Sequence, residues 1–287
     1  MTVTVPAYAK INLFLDIDSL RDDGYHNILS IMQSVSLHDD ITVSHSDSEE
    51  KNITVFCNNS NIPCDKTNLV YKAADIFPVN GNIVVKIEKR IPVSAGLAGG
   101  SADAAATLIA LNQICGDKLS TSELCALGAR LGADVPFCIK KGACFVEGIG
   151  EKLKPVGSMP HFPIVIAKKG DGMSTPAAYK ALDMKFDNFT DYKPNTERCD
   201  MLFDSDNRLN AKKFCVGLFN VFETVVEPER PAVSELKDIM LSSNAAGAMM
   251  SGSGTSVFGI FDDEISAREA LAALKSCGAE AHLCYPL

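Results

Sequence analysis

The chain has 287 residues, 46% hydrophobic and 22% charged, with a net charge of −9 and a pI near 5.1. That length suits one large or two ordinary globular domains with a sizeable core, and the acidic excess argues against nucleic acid as the main partner, because a phosphate backbone needs a basic face. No apolar run approaches the roughly 18 residues of a membrane span, and the ten cysteines show neither C-x-x-C nor zinc spacing, so the expectations are no membrane, no signal or transit peptide and a reducing cytoplasm.

In chain order, residues 2–17 alternate β-formers with smaller side chains and predict one or two strands. Residues 21–26 form a charged turn. Short strands are expected at 41–43 and 53–56, a helix at 67–77 and an alternating strand at 82–89. The alanine-rich run 101–115 predicts the strongest helix of the chain. A second helix follows at 120–131, with Ser120 and Glu123 at capping-box spacing, and 142–147 returns as a strand. The Pro- and Gly-bearing stretch 152–163 marks a domain boundary. Beyond it come a strand at 162–167, helices near 176–182, 210–222 and 231–241, and a polar, irregular segment at 183–206. A strand at 255–261, a helix at 264–277 and a strand at 280–285 complete the chain. Interleaved strands and helices place it in the mixed α+β class, as domains 1–155 and 156–287, with the last strand free to return to the first domain.

Gly96-Leu97-Ala98-Gly99-Gly100-Ser101 sets a pliable loop against the start of a stiff helix. A helix N-terminus carries unsatisfied N–H groups and about half a positive charge. Glycines before it let a backbone approach an anion closely, so such a loop is a ready phosphate site. The Walker A and G-x-G-x-x-G patterns do not fit. On glycine content alone, a tight strand-to-helix turn without a ligand stays open.

Further segments bear on the choice. Pro6-Ala7-Tyr8-Ala9-Lys10-Ile11-Asn12-Leu13-Phe14-Leu15, the stretch from Arg90 to Asn112, and Met250-Ser251-Gly252-Ser253-Gly254-Thr255 follow one another along the chain. In content, order and separation they resemble the three motifs of the GHMP kinase superfamily, kinases of galactose, homoserine, mevalonate and related small molecules. Arg21-Asp22-Asp23-Gly24-Tyr25-His26 and Leu131-Gly132-Ala133-Asp134-Val135-Pro136-Phe137 narrow the resemblance to a branch whose small-molecule acceptor carries a cytosine base.

The resemblance implies a two-domain α+β fold, with an N-terminal ATP-loop domain, a C-terminal ferredoxin-like domain and the active site in the cleft. It implies phosphorylation of an alcohol by ATP, with Mg²⁺ as the ATP counter-ion, in a monomer or homodimer. Pro92, Val93, Ser94, Ala95, Gly96, Leu97, Ala98, Gly99, Gly100, Ser101 and Ala102 would wrap the ATP phosphates, and Asn68 and Lys89 would contact adenosine. Asp134 would be the base that accepts the acceptor's hydroxyl proton. Lys10 beside it would offset charge on the transferring phosphoryl group. Tyr25 would stack on the base, His26 would hydrogen-bond it, and Asn12, Thr175 and Tyr179 would face the substrate. Ser251 to Thr255 would support the phosphate site.

Each of these residues also has a plainer reading. Lys10 alone suits a snorkelling surface lysine, Asp134 a turn residue, Ser101 an N-cap, and Tyr25 a loop aromatic packed on its own domain. Asp103 suits either a dipole-stabilising carboxylate or an outer magnesium ligand. His38, His45, His161 and His282 show no ligand spacing, and no metal site is expected. The rival functions are a mevalonate- or homoserine-type kinase, which has no base for Tyr25-His26 to hold, and a catalytically silent binding member, which has no use for both Lys10 and Asp134.

Overall fold

A computed structural model describes residues 1–157, 159–204, 209 and 214–287. The chain gathers into two compact units, one made of Met1–Ala9, His38–Ile91 and Ala98–Lys141, the other of Lys10–Leu37, Pro92–Leu97 and Gly142–Leu287. Two long strands, β1 (Thr2–Leu20) and β2 (His26–Ser46), contribute a segment to each.

In the first unit the strand order is β3 (Lys51–Cys57), β4 (Gly81–Glu88), β2, β1. β4 lies antiparallel to β2, with Asp40 opposite Glu88 and Ser46 opposite Asn82, and parallel to β3. Ile83, Val85 and Ile87 of β4 are buried while Lys86 and Glu88 face solvent, the period-two pattern of a half-buried strand. The helices are α1 (Leu69–Ile76), α2 (Gly99–Ile114), α3 (Thr121–Ala129) and α4 (Val135–Lys140). α2 is buried almost all round, at Ala102, Ala104, Ala105, Ala106, Leu108 and Leu111 among others. Its alanines keep the cylinder thin enough to pack between α1 and α4. The Ser120–Glu123 capping box forms, with both reciprocal bonds present.

The second unit pairs β5 (Ala143–Glu147) with β2 at Ser30–Gln33 and with β6 (Lys152–Pro155). Its other sheet is four-stranded and antiparallel, in the order β11 (Glu280–Cys284), β7 (Ile164–Lys168), β10 (Val257–Ile260), β9 (Gly247–Met250). Between β7 and β9 lie α5 (Thr175–Lys185), a 3₁₀ turn (Asp187–Phe189), α6 (Thr196–Met201), α7 (Phe214–Gly217), β8 (Phe219–Asn220), α8 (Glu223–Val226) and α9 (Pro231–Ser242). α10 (Glu264–Ser276) joins β10 to β11. β7–α9–β9–β10–α10–β11 is the ferredoxin-like βαββαβ arrangement. Every residue of β10 is buried, and so are the first four of β7.

The structure departs from the sequence expectations in several places. β2 runs from His26, where only 41–43 was expected, because Ser30, Gln33, Ser34 and Asp39 are buried and mask the apolar alternation. The polar stretch 183–206 is not wholly irregular: α5 continues to Lys185, and the 3₁₀ turn and α6 follow. Of the helix expected at 210–222, residues 210–213 lie outside the described residues. The rest is one turn, 214–217, and then β8, which pairs in parallel with β1 at Phe14 and Leu15. α4 and β6 were not anticipated. β11 pairs with β7.

Candidate active site

In the first unit, α2 begins without a side-chain cap. Its N-cap position is Ala98, held left-handed at φ 55, whose methyl side chain makes no cap hydrogen bond to the first turn. Left-handed geometry in a non-glycine residue costs on the order of 1 kcal/mol. Ser101, for which an N-cap was the plainer reading, lies inside the first turn, because the helix starts two residues earlier, at Gly99. A 16-residue helix thus presents its N-terminal amides and dipole at Gly99–Gly100–Ser101.

The loop's approach is stapled by charge. Asp39 accepts hydrogen bonds from the backbone N–H groups of Arg90 and Ile91, at 2.5 and 2.8 Å. Lys89 Nζ lies 2.5 Å from Asp39 Oδ2 and 2.8 Å from Asp103 Oδ2. Burial lowers the Lys89 ammonium, but the two carboxylates outweigh it and hold it above the ordinary lysine value. One ammonium cannot satisfy two buried carboxylates equally. Asp103 Oδ1 is buried without a hydrogen bond, and burial, with the charge of Asp39, pushes its carboxyl up to about 7 against the pull of Lys89. Lys89 is therefore engaged within this triad. Asn68 is likewise engaged as the N-cap of α1, accepting from Val70 N–H at 2.8 Å and donating to Pro63 O at 2.6 Å.

Asp134 occupies the N-cap position of α4 but has helical φ/ψ and makes no side-chain cap bond. Its carboxylate is half-buried and is not consumed by its own helix. Gly132, two residues earlier, lies beside the first turn of α2: a Cβ there would stand 3.9 Å from Ser101 Oγ.

The second unit holds Lys10. Its backbone N–H donates to Leu97 O, and its ammonium donates to Asn12 Oδ1 at 2.6 Å. Asn12 Nδ2 donates to Ser30 Oγ at 2.8 Å, and Ser30 Oγ donates to Phe14 O at 2.6 Å. The sense of this chain is forced. Ser30 spends its single proton on a carbonyl, so it must accept from the amide NH₂, and the amide oxygen then faces Lys10. Asn12 is 1% exposed and positions the ammonium. Ser251 Oγ accepts from Asn12 N–H at 3.3 Å and donates to Gly96 O at 3.0 Å. Asn220 Nδ2 donates to both Met250 O and Gly252 O at 2.8 Å, and Glu223 accepts from Met250 N–H at 2.8 Å. A Cβ on Gly252 would stand 3.2 Å from Lys10 Nζ. The first and third motifs therefore meet at the ammonium.

An aromatic cluster completes this unit's candidate residues. Tyr25 is 62% exposed at the tip of the 21–25 turn, where Arg21 pairs with Asp23. The next residue, His26, is buried. Its ring stacks on Tyr179 (centroids 4.8 Å, 27°) and meets Phe189 edge-on at 5.4 Å. Its Nε2 lies 2.6 Å from Asp183 Oδ1. Thr175 Oγ1 and Ser253 Oγ are 2.9 Å apart. Asp16 accepts from Tyr192 Oη at 2.5 Å and from Asn195 N–H at 2.7 Å, anchoring the segment after α5. Of the second motif, Pro92, Ala95 and Leu97 are buried and Val93 and Ser94 exposed. Val93 O accepts from Lys168 Nζ, and Ala95 O from Ser256 N–H.

Sequence reasoning missed Asp16, Ser30, Asp183, Phe189 and Asn220. Asp16 and Ser30 carried a usable signal, since each is a polar residue on the buried face of a strand. The others, in α5 and after it, sit in segments without periodicity.

Family models described as the GHMP kinases N terminal domain and GHMP kinases C terminal match residues 68–142 and 202–280. A homoserine kinase structure from Cytophaga hutchinsonii superimposes with a TM-score of 0.73 over 100% of this chain and 94% of that one, at 18% identity, a likeness of fold alone. With the uncapped α2 loop, these matches define a GHMP-type small-molecule kinase. A 4-diphosphocytidyl-2-C-methyl-D-erythritol kinase from Caldicellulosiruptor saccharolyticus is 46% identical over 274 residues, 94% of this chain and 91% of the relative. The crystal structure of a 4-(cytidine 5'-diphospho)-2C-methyl-D-erythritol kinase matches with a TM-score of 0.79 and 29% identity, over 99% of both chains. The chain belongs to the 4-diphosphocytidyl-2-C-methyl-D-erythritol kinase family of GHMP kinases.

Proposed function

We propose that the chain transfers the γ-phosphate of ATP to the 2-hydroxyl of 4-diphosphocytidyl-2-C-methyl-D-erythritol, releasing ADP and the 2-phosphate, in the non-mevalonate route to isoprenoid precursors. The observation that carries this reading is the bare N-terminus of α2 behind a left-handed Ala98, in a chain of this kinase family. Among the described residues no N-cap side chain satisfies those amides, and phosphate oxygens suit them. The division into an ATP-loop domain, 1–155, and a second domain, 156–287, belongs to the same reading, supported by family models that fall on either side of residue 155.

Phosphoryl transfer demands positioning and charge neutralisation more than covalent chemistry. Gly99, Gly100 and Ser101 would hold the phosphates by their backbone amides. Asp134, its carboxylate left free by α4, would take the proton from the acceptor hydroxyl as that oxygen attacks the γ-phosphorus. Lys10, aimed by Asn12 and Ser30, would neutralise charge on the phosphoryl oxygens. Tyr25 would supply an exposed ring for the cytosine, His26 a polar edge, and Thr175 a hydroxyl. Among the described residues no group of three metal-ligating side chains forms a metal site. Mg²⁺ enters this reading as the ion that ATP carries, easing the charge on its phosphates. The cysteines described are free thiols, in keeping with a reducing cytoplasm.

The test is Asp134→Asn. Turnover is expected to fall about 100-fold or more, with both Michaelis constants and the melting temperature close to the parent's. Near-normal turnover removes Asp134 from the mechanism.

A further inference from the structure

The His26 ring has two nitrogens, and α5 has claimed one. Tyr179 and Asp183 stand one helical turn apart on α5, so they share a face. Tyr179 covers the imidazole plane and Asp183 Oδ1 approaches Nε2 to 2.6 Å. The His26 and Asp183 side chains are 6% and 28% exposed. Phe189 closes a ring edge. Among the described residues no hydrogen bond reaches Nδ1.

An ionised carboxylate only accepts hydrogen bonds. Nε2 must therefore carry the proton, and in the neutral ring Nδ1 is left as an acceptor. We propose that Asp183 is a specificity-determining positioning residue: by holding His26 in the Nε2–H tautomer, it makes the ring an acceptor that reads the 4-amino group of cytosine and rejects the 4-oxo group of uracil. The inference rests on the reading above that His26 meets the base of the acceptor substrate. Cytosine presents an N–H₂ donor at that position, where a uracil ring presents an oxygen acceptor. Two acceptors facing each other leave both groups desolvated and unpaired, which a buried site penalises strongly. Asp183 itself touches no base. It works through His26, as an outer carboxylate fixes a ligating histidine.

The experiment compares kcat/KM for the cytosine form of the acceptor and its uracil analogue in the parent, Asp183→Asn and Asp183→Ala. It also records the ¹⁵N chemical shifts of His26 in the substrate-free protein at pH 7.5. An amide at position 183 donates or accepts equally well, and alanine does neither, so both variants free the tautomer. The cytosine-to-uracil ratio is expected to fall about tenfold or more in each, with the KM for ATP unchanged, and the parent's spectrum to show a neutral ring protonated at Nε2. A merely structural Asp183 would alter stability and both acceptors together. An unchanged ratio in both variants overturns the proposal, as does a parent ring found protonated at Nδ1 or at both nitrogens. A parent that does not phosphorylate the cytidylylated acceptor overturns the functional reading itself, and the inference with it, so the parent's turnover tells the two failures apart.

Discussion

The glycines of the second motif fall into two kinds. At Gly96, φ is +73 and an added Cβ would overlap the carbonyl oxygen of Ser251. Its counterpart Gly252, at φ +58, would place a Cβ 2.8 Å from Gly96 O. Each is glycine because the backbone of the opposing loop occupies the space. Gly100 differs: its φ is ordinary, it is exposed, and a Cβ would meet nothing nearer than Leu69 Cδ1 at 3.7 Å. The fold does not require a glycine there. A glycine required by packing reports on architecture, whereas one the fold does not need leaves room for something that approaches from outside, which in the proposed function is the phosphates of ATP.

Substitution separates the two kinds. Gly96→Ala should cost about 3 kcal/mol of stability or more, from left-handed strain and the overlap together. Urea denaturation checks it, and a change below about 1 kcal/mol would mean the two loops do not interlock as described. Gly100→Val should leave the urea midpoint near the parent's and weaken ATP binding about tenfold or more, about 1.4 kcal/mol. Equal affinity in titration calorimetry would make Gly100 another architectural residue and erase the contrast.

The smallest effect concerns the triad behind the loop. The Asp103 carboxyl, raised mainly by burial to about 7, favours the proton more in the folded chain than in the unfolded one. Its contribution to stability is therefore complete below the unfolded carboxylate pKa, near 4, and is lost as pH rises through about 7. Asp103→Asn keeps the shape and removes that titration. Its melting temperature, relative to the parent's, should be about 2 °C higher at pH 8 than at pH 5. A difference that stays constant between the two pH values would show that Asp103 ionises like a surface carboxylate.

The fold was legible where local chemistry and burial agree. α2, α9 and α10 follow their alanine content or apolar spacing, and Ser120 with Glu123 announces the start of α3. β2 was not legible, because Ser30, Gln33, Ser34 and Asp39 sit on buried ground, and Ser30, Gln33 and Asp39 satisfy partners far along the chain. β8 exists only because β1 offers an edge at Phe14 and Leu15, which no local pattern reveals. For the candidate site, motif order pointed to Lys10, Asp134 and the loop at residues 92–102. Which side chains orient them was hidden. Asn12 is turned by Ser30, the 250–252 backbone is held by Asn220, and His26 is held by Asp183, all contacts between residues distant in sequence or in unpatterned segments.

The most direct test of the central claim is ADP release measured side by side with three acceptors: 4-diphosphocytidyl-2-C-methyl-D-erythritol, mevalonate and homoserine. Rapid ADP release is expected with the cytidylylated acceptor and background rates with the other two, since neither offers a base to Tyr25 and His26. Release with mevalonate or homoserine at an equal or higher rate would contradict the account.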